Sequence, residues 1–350
     1  MHVSILAAVA SLRRDRELGR ADRILPGVWR LRLPLPWPGV PHVNGWALRA
    51  GDGLVLVDTG IHEPGALDEL QRTLHQTGHS IADVKLLVCT HAHTDHYGLA
   101  ATIVEAAGCE LWMHPRHEHM TRGVGDPERS LERRIEVARQ SGVPIEPLER
   151  WAAERRDSNS GIAGIVEPDR ELVPGMEVHT DLGTWSVHET PGHAPSHVCL
   201  FEPSHRLLLS GDHVLGRVSL YFDYGWTPDP VAEFLASLDE VDRLDARLCL
   251  PGHGRPFTDV RAHIEANRKE VNGRVEAVLA ALDEHGELTA YDLIPIVFGE
   301  EFARMMSWAL TIMLCFLTHL ERAGRVERVK SPDEREPERW RSPVPTAVLP

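Results

Sequence analysis

Thr90-His91-Ala92-His93-Thr94-Asp95-His96 puts three imidazoles and one carboxylate within seven residues. It follows the apolar run Val84 to Cys89, which reads as a buried strand. His91 and His93 are two apart, so on an extended loop both side chains can point the same way. Asp95 and His96 come next, where a turn or helix start would aim them at a neighbouring point. All four are good ligands for a divalent cation. One ion cannot easily take four ligands from so tight a loop, whereas two adjacent ions can share them. The chain has 21 histidines, so some clustering arises by chance. The rest of the sequence sets this cluster apart.

Further candidate ligands follow apolar runs and sit beside small residues that leave room for an ion. They are His193 in Thr190-Pro191-Gly192-His193, Asp212 in Leu208-Leu209-Ser210-Gly211-Asp212, and His253 in Leu250-Pro251-Gly252-His253-Gly254. With the early Val57-Asp58-Thr59-Gly60, this ordered set closely resembles the metallo-β-lactamase superfamily, over residues from about 25 to about 258. The resemblance implies an α+β fold, a four-layer αββα sandwich with its metals at one edge. It implies that His91, His93 and His193 hold one metal, that Asp95, His96 and His253 hold the other, and that Asp212 bridges both. Asp58 would lie beneath the metal loop and hydrogen-bond its backbone. Thr90 and His197 would steady the ligands from behind, with Ser196 standing where the family usually has Gly.

Around this core the pattern is strands and helices in two successive halves, the arrangement that packs two sheets face to face with helices outside. Residues 1–23 read as an N-terminal extension. Their basic residues follow the short apolar run, the reverse of a secretory signal. Residues 24–259 form the expected metallo-β-lactamase-fold domain. Within it, residues 115–168 depart from a minimal core as an Arg- and Glu-rich helical insertion, with a flexible break at Ser158-Asn159-Ser160-Gly161, expected to act as a lid over the site. His114, just before the insertion, and His117 and His119 within it carry no motif and read as surface residues. Residues 260–330 read as three helices and a short strand, a C-terminal winged-helix-like domain. The alternative is a helical appendage that packs on the core or forms a homodimer contact. Residues 331–350 are Pro-rich and charged, and disorder is expected.

Composition is that of a globular protein, 42% apolar and 25% charged, and the net charge of −15 argues against a nucleic-acid partner. The five cysteines lack a Cys-x-x-Cys pair and mostly sit in apolar runs, which suggests reduced, buried thiols. The apolar run Met305 to Leu317 is shorter than the roughly 20 residues a bilayer requires. The expectation is therefore a cytoplasmic protein with no membrane contact.

The chemistry follows from the implied ligands. Water shared by two cations loses its proton readily, since even one Zn²⁺ brings its pKa to about 7. A metal-bridging hydroxide would then attack a carbonyl, oriented by Asp95 as catalytic residue. Zinc is the expected metal, and iron or manganese also suits these ligands. No Gly-x-Ser-x-Gly elbow or phosphate loop offers a competing site. The absence of a thiolate ligand argues against a dedicated antibiotic hydrolase. The expected substrate is a small thioester or lactone, with Tyr221 and Tyr224 as candidate substrate contacts. A phosphodiesterase or RNase of the same fold and a mono-iron persulfide dioxygenase are the alternatives.

Overall fold

Strict two-residue alternation with both sets apolar builds the centre of the molecule. In β4 (Gly53–Val57), Leu54 and Leu56 face one way, Val55 and Val57 the other, and all are buried. Such a strand must be covered on both sides. The computed structural model describes residues 18–343, apart from 38, 157, 301–305, 332 and 334.

The first sheet runs in sequence order: β1 (Arg20–Leu25), β2 (Val28–Trp37), β3 (Val40–Ala50), β4, β5 (Val84–Cys89), β6 (Glu110–Met113) and β7 (Arg170–Glu171). The second is ordered β12 (Leu248–Pro251), β11 (Leu207–Gly211), β10 (Val198–Glu202), β9 (Gly183–Glu189), β8 (Glu177–Thr180). Helices α1 (Ala66–Gln76) and α3 (Ala100–Ala107) bury Leu70, Leu74 and Ile103 against Leu31, Leu54 and Leu56. Trp46, Val55 and Val57 meet Trp185, Leu200 and Leu209 between the sheets. On the far side, Cys199, Leu208 and Cys249 pack against α7 (Pro230–Arg243) and α8 (Val260–His285). These three apolar layers, one between each adjacent pair, are the αββα sandwich. Among the described residues no helix is long and apolar enough to cross a membrane.

Three boundaries differ from the sequence expectation. Ordered chain begins before residue 24, because β1 starts at Arg20 and pairs with β2. Its Asp22 carboxylate lies 2.7 Å from Arg30 and 3.1 Å from Arg32, and those ion pairs hold a strand with few apolar residues. The break at Ser158–Gly161 is tied down: Asn159 donates to the His62 carbonyl (3.1 Å), and the His62 amide donates to that of Gly161 (2.9 Å).

The third concerns the tail, where disorder was expected after residue 330. The C-terminal module comprises α8, α9 (Ala290–Phe298), α10 (Met306–Arg322) and the hairpin β13 (Glu327–Val329) with β14 (Arg339–Arg341). Trp340 is 1% exposed and lies under the Arg328 guanidinium at 4.5 Å. Its backbone also bridges to Leu288. One indole in a polar segment is thus enough to dock the strand. Trp340→Ala is expected to cost about 3–5 kcal/mol in chemical denaturation. A loss below about 1 kcal/mol would show that the tail merely rests on the module.

The insertion supplies α4 (Glu118–Gly125), α5 (Pro127–Gln140) and α6 (Ile145–Arg156). It is clasped to the C-terminal module. The Tyr291 amide donates to the Ser141 carbonyl (3.0 Å) and the Glu338 amide to that of Gln140 (2.7 Å). A side chain at Gly142 (φ 90°) would come within 2.6 Å of Thr289, so this contact requires glycine.

Candidate metal centre

Every strand that reaches the shared edge of the sandwich ends in a polar residue of interest. Asp58 ends β4, Thr90 to His96 follow β5, Asp212 follows β11 and His253 follows β12. His193 lies in the β9–β10 loop, and His96 sits on the single-turn helix α2 (Thr94–Tyr97).

Two groups form there. In the first, His91 Nε2 and His193 Nε2 each lie 3.0 Å from His93 Nδ1. Donor accounting fixes two of the tautomers. Thr90 Oγ1 donates to Asp58 Oδ2 (2.9 Å) and so accepts from His91 Nδ1 (3.0 Å), leaving a bare lone pair on His91 Nε2. His93 Nε2 donates to Asp223 Oδ2 (2.9 Å), leaving His93 Nδ1 bare as well. Two bare lone pairs facing each other repel, and a cation between them removes the conflict.

The second group is Asp95, His96, Asp212 and His253. His96 Nδ1 donates to Asp58 Oδ2 (2.8 Å), and His253 Nδ1 donates to the His42 carbonyl (2.8 Å). Both Nε2 atoms therefore turn inward. His253 Nε2 lies 3.2 Å from Asp95 Oδ2 and 3.1 Å from Asp212 Oδ2. His96 Nε2 and Asp212 Oδ1 face each other at 3.4 Å, both buried and neither in a well-formed hydrogen bond. Asp212 Oδ2 also reaches to 3.7 Å from His193 Nε2, so this carboxylate spans both groups. A Cβ at Gly252 would come within 2.2 Å of Asp212 Oδ1, so glycine keeps that space clear. The donor set and the orphaned atoms fit a divalent ion in each group.

Electrostatics agree. Burial, then the neighbouring imidazoles, push His91 far down and His193 down to about 3. Burial opposes charge on His253, but the Asp212 and Asp95 carboxylates outweigh it and raise the ring to about 10. His96 is raised for the same reason, by Asp95, Asp212 and Asp58. Without metal, the second group thus holds protons where cations would bind, and metal uptake must release them.

Asp58 has a left-handed φ of 62°, which turns its carboxylate under the loop. Its Oδ1 accepts from the Thr90 amide (2.8 Å), in addition to the bonds from Thr90 Oγ1 and His96. His197 Nε2 accepts from the Asp212 amide (3.0 Å), and its Nδ1 donates to Thr190 Oγ1 (2.8 Å). Tyr221 stacks edge-on near His93 and His193, with ring centroids 5.4 and 5.6 Å away. Tyr224 turns elsewhere. It pairs with Arg328 and packs in the C-terminal core, so its expected substrate contact does not hold.

Sequence reasoning missed two groups of supporting residues. His119 does not lie on the surface; like His114 and His117 it is buried, at 6% exposure. Its Nε2 lies 2.8 Å from Ser196 Oγ and its Nδ1 2.9 Å from Asp223 Oδ2, the oxygen that also holds His93. Ser196 in turn accepts from the Ala92 amide (3.1 Å). Asn44 Nδ2 donates to the carbonyls of Pro251 (2.8 Å) and Gly254 (2.9 Å), while buried Arg30 donates to Gly254 (2.9 Å); together they clamp the His253 loop. No local motif marks any of these residues. Asp223→Asn is expected to lower metal affinity about 10- to 100-fold by freeing His93, as measured by competition with a chromogenic chelator. Unchanged affinity would show that the His93 ring needs no such tether.

A double-sheet sandwich with two His/Asp groups at one edge defines a metallohydrolase-type centre. Residues 38–253 match the model of the metallo-beta-lactamase superfamily, and the chain belongs to that superfamily as a hydrolase. A "Probable metallo-hydrolase YqjP" of Bacillus subtilis is 29% identical over 290 residues, covering 79% of this chain and 88% of that protein. The crystal structure of the metallo-beta-lactamase family protein TTHA1429 from Thermus thermophilus superimposes with a TM-score of 0.78 at 29% identity, covering 92% of this chain and all of that one. An "Atrochrysone carboxyl ACP thioesterase" of Aspergillus fumigatus is 27% identical over 171 residues, 45% of this chain and 51% of that protein.

Proposed function

We propose that this protein hydrolyses a small thioester or lactone at a two-metal centre. His91, His93 and His193 hold one ion, Asp95, His96 and His253 the other, and Asp212 bridges them. The observation that carries the reading is the convergence of these seven side chains with their free atoms turned inward. Zinc suits the set, and iron or manganese would also be accepted. Two bound divalent ions would supply an activated water and Lewis-acid polarisation of the carbonyl. Asp95, beside His253, is suited to accept a hydrogen bond from that water and aim it. Asp58, Thr90 and His197 keep the ligand loops in register. Tyr221 forms one wall of the approach and is suited to contact the substrate.

The acyl class is favoured by a carboxylate, rather than a thiolate, at the bridging position. Burial pushes the Cys199 thiol up to about 12 and holds Cys249 above its ordinary range, so neither serves as nucleophile. The thioesterase named among the relatives lends the thioester class further support. The test is turnover of a thioester and lactone panel by zinc-loaded protein, with metal content measured on the same sample. Hydrolysis with about two ions per chain is expected. Phosphodiester cleavage alone, or a single iron with oxygen uptake on a persulfide, would overturn the reading.

A further inference from the structure

We infer that His119 is a positioning residue for the first metal group: it fixes Asp223, on which His93 hangs, and so builds the helical insertion into the metal centre. This rests on the two-metal reading above.

His93 is steadied through its outer nitrogen. Its Nε2 donates to Asp223 Oδ2 (2.9 Å), and that bond decides which nitrogen is turned toward His91 and His193. Asp223 has no regular backbone beneath it, since residues 221–229 form neither helix nor strand. An aspartate in such a loop keeps one rotamer only where its carboxylate is held. The side chain that holds it is His119, the second residue of α4. His119 Nδ1 stands 2.9 Å from the same Oδ2, and its ring crosses that of His93 at 80° with centroids 5.5 Å apart. One carboxylate oxygen thus serves two imidazoles, one from the metal loop and one from the insertion.

The far side of the His119 ring closes the arrangement. Ser196 Oγ accepts from the Ala92 amide (3.1 Å) and lies 2.8 Å from His119 Nε2. A carboxylate only accepts, so the proton of a neutral His119 belongs on Nδ1, and the Ser196 hydroxyl donates to Nε2. The Nδ1 contact is short but out of line for a well-formed hydrogen bond, so it acts as attraction between a carboxylate and an N–H dipole. Ala92 lies between His91 and His93. The circuit therefore leaves the metal loop at Ala92, passes through Ser196, His119 and Asp223, and returns at His93. The insertion grips the same loop elsewhere, with the Arg122 and Arg133 guanidiniums over Trp226 at 5.3 and 5.8 Å. Helix α10 holds it through Phe316, whose ring centroid is 5.8 Å from that of Phe222.

Zn²⁺ titration of the full chain against a chromogenic chelator tests this. In His119→Ala one of the two ions should bind about 10-fold more weakly, the lower end of what a partner behind a ligand contributes, and the other should be unchanged. His119→Phe keeps the volume without the N–H and should match His119→Ala. His119→Asn sets an amide N–H near the place of Nδ1 and should recover most of the loss. His119→Ala/Asp223→Asn should bind within about 2-fold of Asp223→Asn alone, because both changes act on one ring. A readout without metal is the His93 Nε2 proton in ¹⁵N-histidine-labelled, metal-free protein. Its line should broaden into exchange with water in His119→Ala and persist in His119→Asn. Wild-type affinity in His119→Phe, or effects that multiply in the double variant, would show that His119 only fills space. Either would overturn the inference and leave the two-metal reading standing. Wild-type protein that takes up no Zn²⁺ would overturn that reading, and the His93 line would still decide for or against His119.

Discussion

Asp212→Ala is expected to lose about 10³-fold or more in kcat and to bind little metal in either group. The reason is geometric. Asp212 is the side chain that spans both groups, lying 3.1 Å from His253 Nε2, 3.4 Å from His96 Nε2 and 3.7 Å from His193 Nε2. Under the proposed assignment its removal would take one ligand from each ion, and it removes half of the carboxylate charge of the second group. Every other proposed ligand would serve one ion, so His253→Ala should spare the first group where Asp212→Ala does not. Metal analysis of the two variants beside wild type checks this. Two ions per chain and full activity in Asp212→Ala would refute the bridging assignment. In the metal-free state the same substitution removes the main attraction that raises His253, so that ring should titrate lower, visible by NMR. The sign follows from the site: a raised histidine is favoured by its carboxylate partners and loses that favour when one is removed.

The part of this centre that was legible in sequence is the part written in short, ordered stretches. His91, His93, Asp95 and His96 are neighbours, and His193, Asp212 and His253 each carry a small residue just before them. The sandwich was legible for a similar reason, because strands such as Val55 to Val57 are apolar on both faces. Asp223 was not, because its contact with His93 spans 130 positions and its own neighbours form no motif. His119 looked like any insertion histidine until folding set it against Ser196, 77 residues away. Tyr221 and Tyr224 have the same residue type and nearly the same position, yet one faces the metal ligands and the other Arg328. Side-chain direction in an irregular loop is set by its packing partners, and no periodicity encodes it. The tail misled because composition averages over residues, whereas docking of β14 depends on a single indole, Trp340.

Asp58→Asn isolates what lies beneath the metal loop. At φ 62°, asparagine is among the residues that tolerate the left-handed region best, so the backbone cost stays nearly unchanged. The hydrogen bonding does not. The carboxylate accepts three bonds, from the Thr90 amide, the Thr90 hydroxyl and His96 Nδ1, at 2.8, 2.9 and 2.8 Å. An amide has one oxygen. If that oxygen replaces Oδ2, the NH₂ group meets the Thr90 N–H, donor against donor. If it replaces Oδ1, the NH₂ group meets His96 Nδ1, which can then only accept. The proton must move to His96 Nε2, the atom turned toward the second metal group, and the ring ceases to be a ligand. Either way a buried group is left unsatisfied, at about 1–3 kcal/mol. The expected result is a lower melting temperature in the metal-free protein and about 10- to 100-fold weaker metal binding. If the second orientation dominates, one ion is lost before the other, and metal titration should resolve two affinities where wild type is more nearly uniform. Wild-type affinity and stability in Asp58→Asn would mean that the loop's own backbone, and not the carboxylate beneath it, fixes His96.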